Sequence, residues 1–196
     1  MVVTETLLIA LLEEPEWVKD MFGTYLESCM KCFDRIWDER YRFDAIHWPD
    51  DMGYKGTPFF SNELYRELLK PYHKRAVDWA HNKGIKARLH SCGDIMPLIP
   101  DILDTGIEAL NPIEVEAGMD VLKLKREYGD RLVLHGGINA VNWPNTEKVI
   151  ADIETLVPAL KENGEYIFAS DHFIPNSVSL ENFKAIIETV KRCGRY

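Results

Sequence analysis

From Pro15 onward the apolar positions recur at spacings of three and four: Trp17, Val18, Met21, Phe22, Tyr25, Leu26, Met30, Phe33, Ile36 and Trp37. That period describes a helix with one apolar face, and Pro15 suits its first turn because that position needs no N–H donor. The first forty residues therefore read as helices. After them the pattern changes. Short apolar runs at 44–48, 86–90, 109–112, 132–135 and 166–169 alternate with longer stretches of helical period.

The punctuation agrees with the alternation. Ser61, Asp120 and Ser179 each stand where a side-chain oxygen would cap a helix, with Asn182 three residues after Ser179 where a capping box carries Glu or Gln. Gly84, Gly106, Gly129 and Gly164 stand where helices stop. The predicted helices run from Ser61 to about Lys83, from about Ile95 to Asp104, from Asp120 to Tyr128, from about Thr146 to Lys161, and onward from Ser179. Strand, helix, strand in such steps implies parallel strands joined by right-handed crossovers. The expected fold class is α/β, with residues 1–196 as one domain and no linker or low-complexity tract.

A TIM barrel closes with eight strands. About five βα units are legible here, so the expectation is a partial TIM barrel, open, covered by a partner, or completed by a first part encoded elsewhere. Uncovered parallel edges are an association hazard. A homo-oligomer, or a partner supplying the missing strands, is therefore expected.

Composition narrows the classes of partner. A net charge of -9 argues against nucleic acid or an anionic membrane, since both select a basic surface; a small-molecule substrate is expected instead. The apolar run Leu7 to Leu12 is too short to span a bilayer and lacks the basic flank of a signal peptide. Four irregularly spaced cysteines read as reduced thiols, hence an expected cytoplasmic location.

The chemistry-bearing residues sit at predicted strand ends, where an α/β barrel keeps its active site. His90 and Cys92 leave the second strand two residues apart and project to the same side. Imidazole and thiolate are preferred zinc ligands; the bland alternative is a core thiol beside a hydrogen-bonded histidine. Further ligands stand at other strand ends: Asp171 and His172 after the fifth strand, Asn111 and Glu114 after the third. A His90, Cys92, His172 set with a carboxylate in an exchangeable position would suit Zn²⁺. Asp50 and Asp51 end the first strand, either as loop acids or as carboxylates orienting substrate. Gly136 and Gly137 follow His135 and either admit a ligand close to the backbone or simply turn the chain. Cys29 and Cys32 lie inside a helical pattern and read as packing. His47, His73 and His81 read as structural or exposed.

Several of these runs resemble one family. The stretch His90 to Pro100 (His-Ser-Cys-Gly-Asp-Ile-Met-Pro-Leu-Ile-Pro) is similar to the uroporphyrinogen decarboxylase superfamily. So are Leu110 to Ile113, Ala117 to Asp120, Leu124 to Asp130, His135 to Asn139 and Ser179 to Asn182. The resemblance spans nearly the whole chain and is stronger to the branch of corrinoid-dependent methyltransferases. It implies a TIM-type barrel of which this chain supplies the last five strands.

In that branch a His-x-Cys pair and a Cys at the end of the last strand hold a zinc that activates a thiol acceptor. The resemblance thus implies His90 and Cys92 as zinc ligands. His172 falls at the last ligand position, imidazole replacing thiolate, and Glu114 falls where a displaceable carboxylate would lie. The implied activity moves a methyl group between a corrinoid on a partner protein and a thiol or other small acceptor, with Asp51 and Glu114 as catalytic acids and Gly136 and Gly137 against the cofactor. Phe59, Phe60 and Trp48 would shape the mouth or serve packing. True decarboxylases carry an arginine-rich N-terminal segment that this sequence does not match, so porphyrinogen decarboxylation is the alternative activity. A non-catalytic half-barrel dependent on a partner chain is the other.

Overall fold

The structure, a computed structural model, describes residues 4–195. Two helices come first, α1 (Thr4–Glu13) and α2 (Pro15–Asp38), followed by β1 (Ala45–Pro49) and a small antiparallel hairpin of β2 (Gly53–Tyr54) and β3 (Thr57–Pro58). α3 (Asn62–Leu64) runs through a π-helical turn, Tyr65–Leu69, into α4 (Lys70–Asn82). Then β4 (Lys86–His90), α5 (Ile99–Leu103), β5 (Ala109–Asn111), α6 (Val121–Tyr128), β6 (Val133–His135), α7 (Thr146–Leu160), β7 (Tyr166–Ile167) and α8 (Leu180–Cys193) alternate. β1, β4, β5, β6 and β7 form one parallel sheet in chain order. Sequential parallel strands with helical crossovers make this the partial TIM barrel that the alternation predicts.

Ser61, Asp120 and Ser179 cap their helices as expected, each side chain accepting the N–H three residues on. Other boundaries shift for local reasons. The third strand stops at Asn111 because Pro112 brings no N–H to the ladder. The fifth is paired only over Tyr166–Ile167, then again at an isolated Ile138–Ser170 bridge. Between these points Gly136 (φ 118°) and Gly137 (φ 77°) turn the neighbouring chain out of register. Gly129 ends α6 in ordinary helical geometry (φ -67°) rather than the left-handed turn expected of it.

The sheet has two unlike faces. Ile46, Ala87, Leu89, Leu110 and Leu134 are buried against the helices, each large aliphatic side chain contributing about 1.5–3 kcal/mol on burial. The alternate residues His47, Arg88, His90, Asn111 and His135 face the concave side and keep part of their surface open. The helix stripe on α2 packs across α4: Phe22 meets Tyr72 and Phe33 meets Trp79 with ring centroids 5.8 Å apart in both pairs. A smaller core of Trp143, Val149, Ile153, Val157 and Ile186 joins α7 to α8. No helix among the described residues is long and apolar enough to cross a membrane.

Candidate metal centre

The ends of β1, β4, β5 and β7 bring five donor side chains together around one sulfur. Cys92 Sγ lies 3.4 Å from His90 Nε2 and 3.8 Å from His172 Nε2. Two overlapping groups share this thiol, Asp51–His90–Cys92 and Cys92–Glu114–His172, with the ligand atoms of each group within 4.8 Å of one another. A tetrahedral zinc with ordinary Zn–N and Zn–S bonds separates its ligands by about 3.4–3.8 Å, so both Cys–His spacings fit. His90 and His172 do not share a group; Cys92 is the donor common to both.

Backbone geometry explains how the donors are held. The loops after β1 and β4 cross in direct contact: a Cβ on Gly93 would stand 2.0 Å from the Gly53 carbonyl carbon, and one on Gly53 2.6 Å from that of Gly93. Gly53 donates to Cys92 O and Asp94 to Tyr54 O across the same crossing. Asp51 Oδ1 accepts the Cys92 N–H at 2.9 Å and lies 3.6 Å from His90 Nε2. After β5 the chain turns through Ile113 at φ 62°, a strained conformation for a β-branched residue that costs about 1–3 kcal/mol. The turn returns Glu114 to the site, where Oε2 accepts the Gly93 N–H at 2.6 Å.

Asn111 and Asp171, expected among the further ligands at strand ends, fall outside both donor groups and form a supporting layer beneath them. Asn111 Oδ1 meets His90 Nδ1 at 2.7 Å, and Asn111 Nδ2 donates to His135 O. The buried Asp171 carboxylate accepts the N–H groups of Val115 and Ala140 and lies 3.7 Å from His172 Nδ1. It ties the loops after β5 and β6 to the residue that carries the last imidazole. Local sequence does not mark Asn111 or Asp171 for these tasks, because the bonds that define them reach β4, the end of β6 and the loops after β5 and β6.

The electrostatics favour a cation. No lysine or arginine pairs with Asp51 or Glu114 among the described residues. Burial, then the charges of Asp51 and Glu114, push the Cys92 thiol up to about 12. Two imidazoles, a thiol and two unneutralised carboxylates suit a zinc ion, whose charge would reverse that shift.

The remaining expectations divide. Asp50 turns away from the cluster: its Oδ2 meets His73 Nε2 at 2.8 Å, and His73 Nδ1 meets the Tyr65 hydroxyl at 2.9 Å. The π turn before α4 sets that tyrosine against His73, which is buried as a structural histidine would be. Gly136 and Gly137 lie outside both donor groups. A Cβ on Gly136 would fall 1.9 Å from Pro112 O, and one on Gly137 2.6 Å from Val121 Cγ2, so packing within the chain accounts for both. Trp48 sits over His73 rather than at the mouth, Phe60 packs on the core, and Phe59 lies against Tyr54. Cys29 and Cys32 belong to α2, and Cys29 lines an apolar cavity of about 350 Å³ beside β1.

Comparison with known proteins agrees with this architecture. The family model described as uroporphyrinogen decarboxylase (URO-D) matches residues 1–193. The chain belongs to the uroporphyrinogen decarboxylase family. Curated uroporphyrinogen decarboxylases of Pelodictyon phaeoclathratiforme and Chlorobium limicola are 28% and 27% identical to it over 141 residues, 67% of this chain and 38% of theirs. The match therefore takes in well under half the length of these relatives. A solved methyltransferase from Methanosarcina mazei shares the fold, with a TM-score of 0.74 and 20% identity, over 97% of this chain and 54% of the other. Within the uroporphyrinogen decarboxylase family, the donor cluster is the feature of this chain that points to a metal.

Proposed function

We propose that this chain is the metal-holding part of a zinc-dependent methyltransferase that moves a methyl group between a corrinoid protein and a thiol or other small acceptor. The observation that carries the reading is that Cys92 stands in two donor groups at once, with Asp51 and His90 and with Glu114 and His172, and that no basic side chain among the described residues is set against the acids. That a solved neighbour of this fold is a methyltransferase agrees with the reaction class.

When bound there, zinc would lower the pKa of an acceptor thiol so that thiolate is present at neutral pH. The protein's residues do the rest. Cys92 supplies sulfur, His90 and His172 supply imidazole Nε2, and Asn111 keeps the His90 ring oriented. Glu114 would supply the carboxylate ligand. Asp51, tied to the Cys92 N–H through Oδ1, takes the proton the acceptor gives up.

Elemental analysis of protein purified without chelator tests the site: one zinc per chain is expected, lost in Cys92→Ser and His90→Ala. Zinc content unchanged in Cys92→Ser would overturn the reading. Methyl transfer from methylcobalamin to a small thiol tests the reaction. The names of the curated relatives favour a second reading, porphyrinogen decarboxylation, and coproporphyrinogen formation from uroporphyrinogen would put that in its place.

A further inference from the structure

One layer below the donor cluster, on the concave face, stands an arginine without a carboxylate. Arg88 precedes His90 by two residues on β4, so both side chains leave the same face about 6.6 Å apart along the strand. Its Nε–H donates to His47 Nδ1 at 3.0 Å and its Nη1 to His135 Nδ1 at 2.8 Å. A guanidinium can only donate, so both histidines accept through Nδ1 and carry their proton on Nε2. Nη2 and the second Nη1 hydrogen have no partner among the described residues, and no Asp or Glu lies within ion-pair distance of Arg88 there.

The group is therefore a fixed positive charge flanked by neutral imidazoles and offering only N–H donors. It stands at one end of a cavity of about 760 Å³ that runs along the concave face toward the strand starts, past Asp44, Glu108, Asp130 and Glu165, and that none of the five donors lines. Two neutral rings hold the fork's orientation without cancelling its charge. Lys86 differs: on the same strand and rim, it is already paired with Glu108 at 3.1 Å.

From this geometry we infer that Arg88, positioned by His47 and His135, binds the carboxylate or similar planar oxyanion of the small substrate whose reactive end lies at the donor cluster. A planar fork matches a carboxylate bidentately. The strand places the two ends a short carbon chain apart, which makes the acceptor an anionic thiol rather than a neutral one. The identity of the reactive end rests on the proposed function; the anion site does not.

Calorimetry on the full zinc-loaded chain separates the two, with 3-mercaptopropionate, 2-mercaptoethanol and propionate as probes. 3-Mercaptopropionate is expected to bind at least tenfold more tightly than 2-mercaptoethanol. Arg88→Gln should abolish that ratio and the binding of propionate while leaving 2-mercaptoethanol unchanged, and Arg88→Lys should restore part of it. Circular dichroism melts of both variants show whether the fold is kept. Arg88-dependent propionate binding without any 2-mercaptoethanol binding would sustain the anion site and remove the thiol reading. A ratio near one in the native chain, or one that Arg88→Gln leaves intact, overturns the inference and leaves Arg88 to a carboxylate from a covering polypeptide.

Discussion

His90 donates its Nδ1 hydrogen to Asn111 Oδ1 at 2.7 Å, which leaves Nε2 as a lone pair facing Cys92. The Asn111 amide cannot rotate to the opposite sense without losing its bond from Nδ2 to His135 O. One side chain thus sets both the tautomer and the ring angle of a histidine in the donor cluster. Such support is worth roughly 10–100-fold in metal affinity. Asn111→Leu is expected to weaken zinc binding by about that factor in competition with a chromophoric chelator, with little loss of zinc-free stability. Affinity equal to that of the native chain would mean that the backbone alone orients His90.

Cys92 gives a pH test. With no cation bound, its thiol is held up at about 12 against an ordinary value of 9.0. A pKa raised by folding contributes stability that is present below the unfolded value and lost as pH rises through the folded one. Between about pH 9 and 12 the stability of the zinc-free chain should fall more steeply than that of Cys92→Ser, as read by urea melts. Zinc replaces the thiol proton, so binding near pH 8 should release about one proton per ion from Cys92. Release equal in native chain and Cys92→Ser would remove Cys92 from the ligand set.

Two glycines of positive φ separate packing from backbone strain. Gly136 (φ 118°) has Pro112 O where a Cβ would go, whereas Gly56 (φ 73°) has open space. Gly56→Ala should cost about 1 kcal/mol, the strain alone. Gly136→Ala should cost on the order of 3 kcal/mol or more, since the end of β6 must move off the Asn111–Pro112 segment that supports His90. Denaturant midpoints with unchanged slopes measure both.

The open sheet invites association. Among the described residues β1 has a strand on one side only, and the cavity beside it is lined by Phe22, Phe33, Trp48, Tyr72 and Trp79. We expect the pure chain to form a concentration-dependent oligomer in light scattering, or to bind a second polypeptide that carries strands of the same fold. A monomer with a single cooperative melt at all micromolar concentrations would show the edge to be capped by α2 and α4 alone.

Much of the architecture is legible in the order of residues because its causes are local. The period of α2, the caps at Ser61, Asp120 and Ser179 and the apolar strand cores each depend on neighbours a few positions apart. The donors at His90, Cys92, Glu114 and His172 were legible for a related reason: barrel topology sends strand ends to one rim whatever their side chains. What could not be read depends on register between strands. Asn111 supports His90 only because β5 pairs with β4 at that step, and Arg88 reaches His47 and His135 only across β1, β4, β5 and β6. The β2–β3 hairpin has two residues in each strand, too few for a period to show. The π turn escaped because one wider turn leaves the helical period of the sequence intact, and the Tyr65–His73 contact that it sets up joins residues more than two turns apart.

The contact between Gly53 and Gly93 bears on how the site comes into being. Because neither loop can occupy its place unless the other is already side-chain-free and in position, the turn after β1 and the turn after β4 open and close as one unit. Amide hydrogen exchange at Gly53, Cys92 and Asp94 should therefore share a single opening free energy. The donor cluster then has no half-built state in which Cys92 is placed while Asp51 is free: the centre is assembled in one step or not at all.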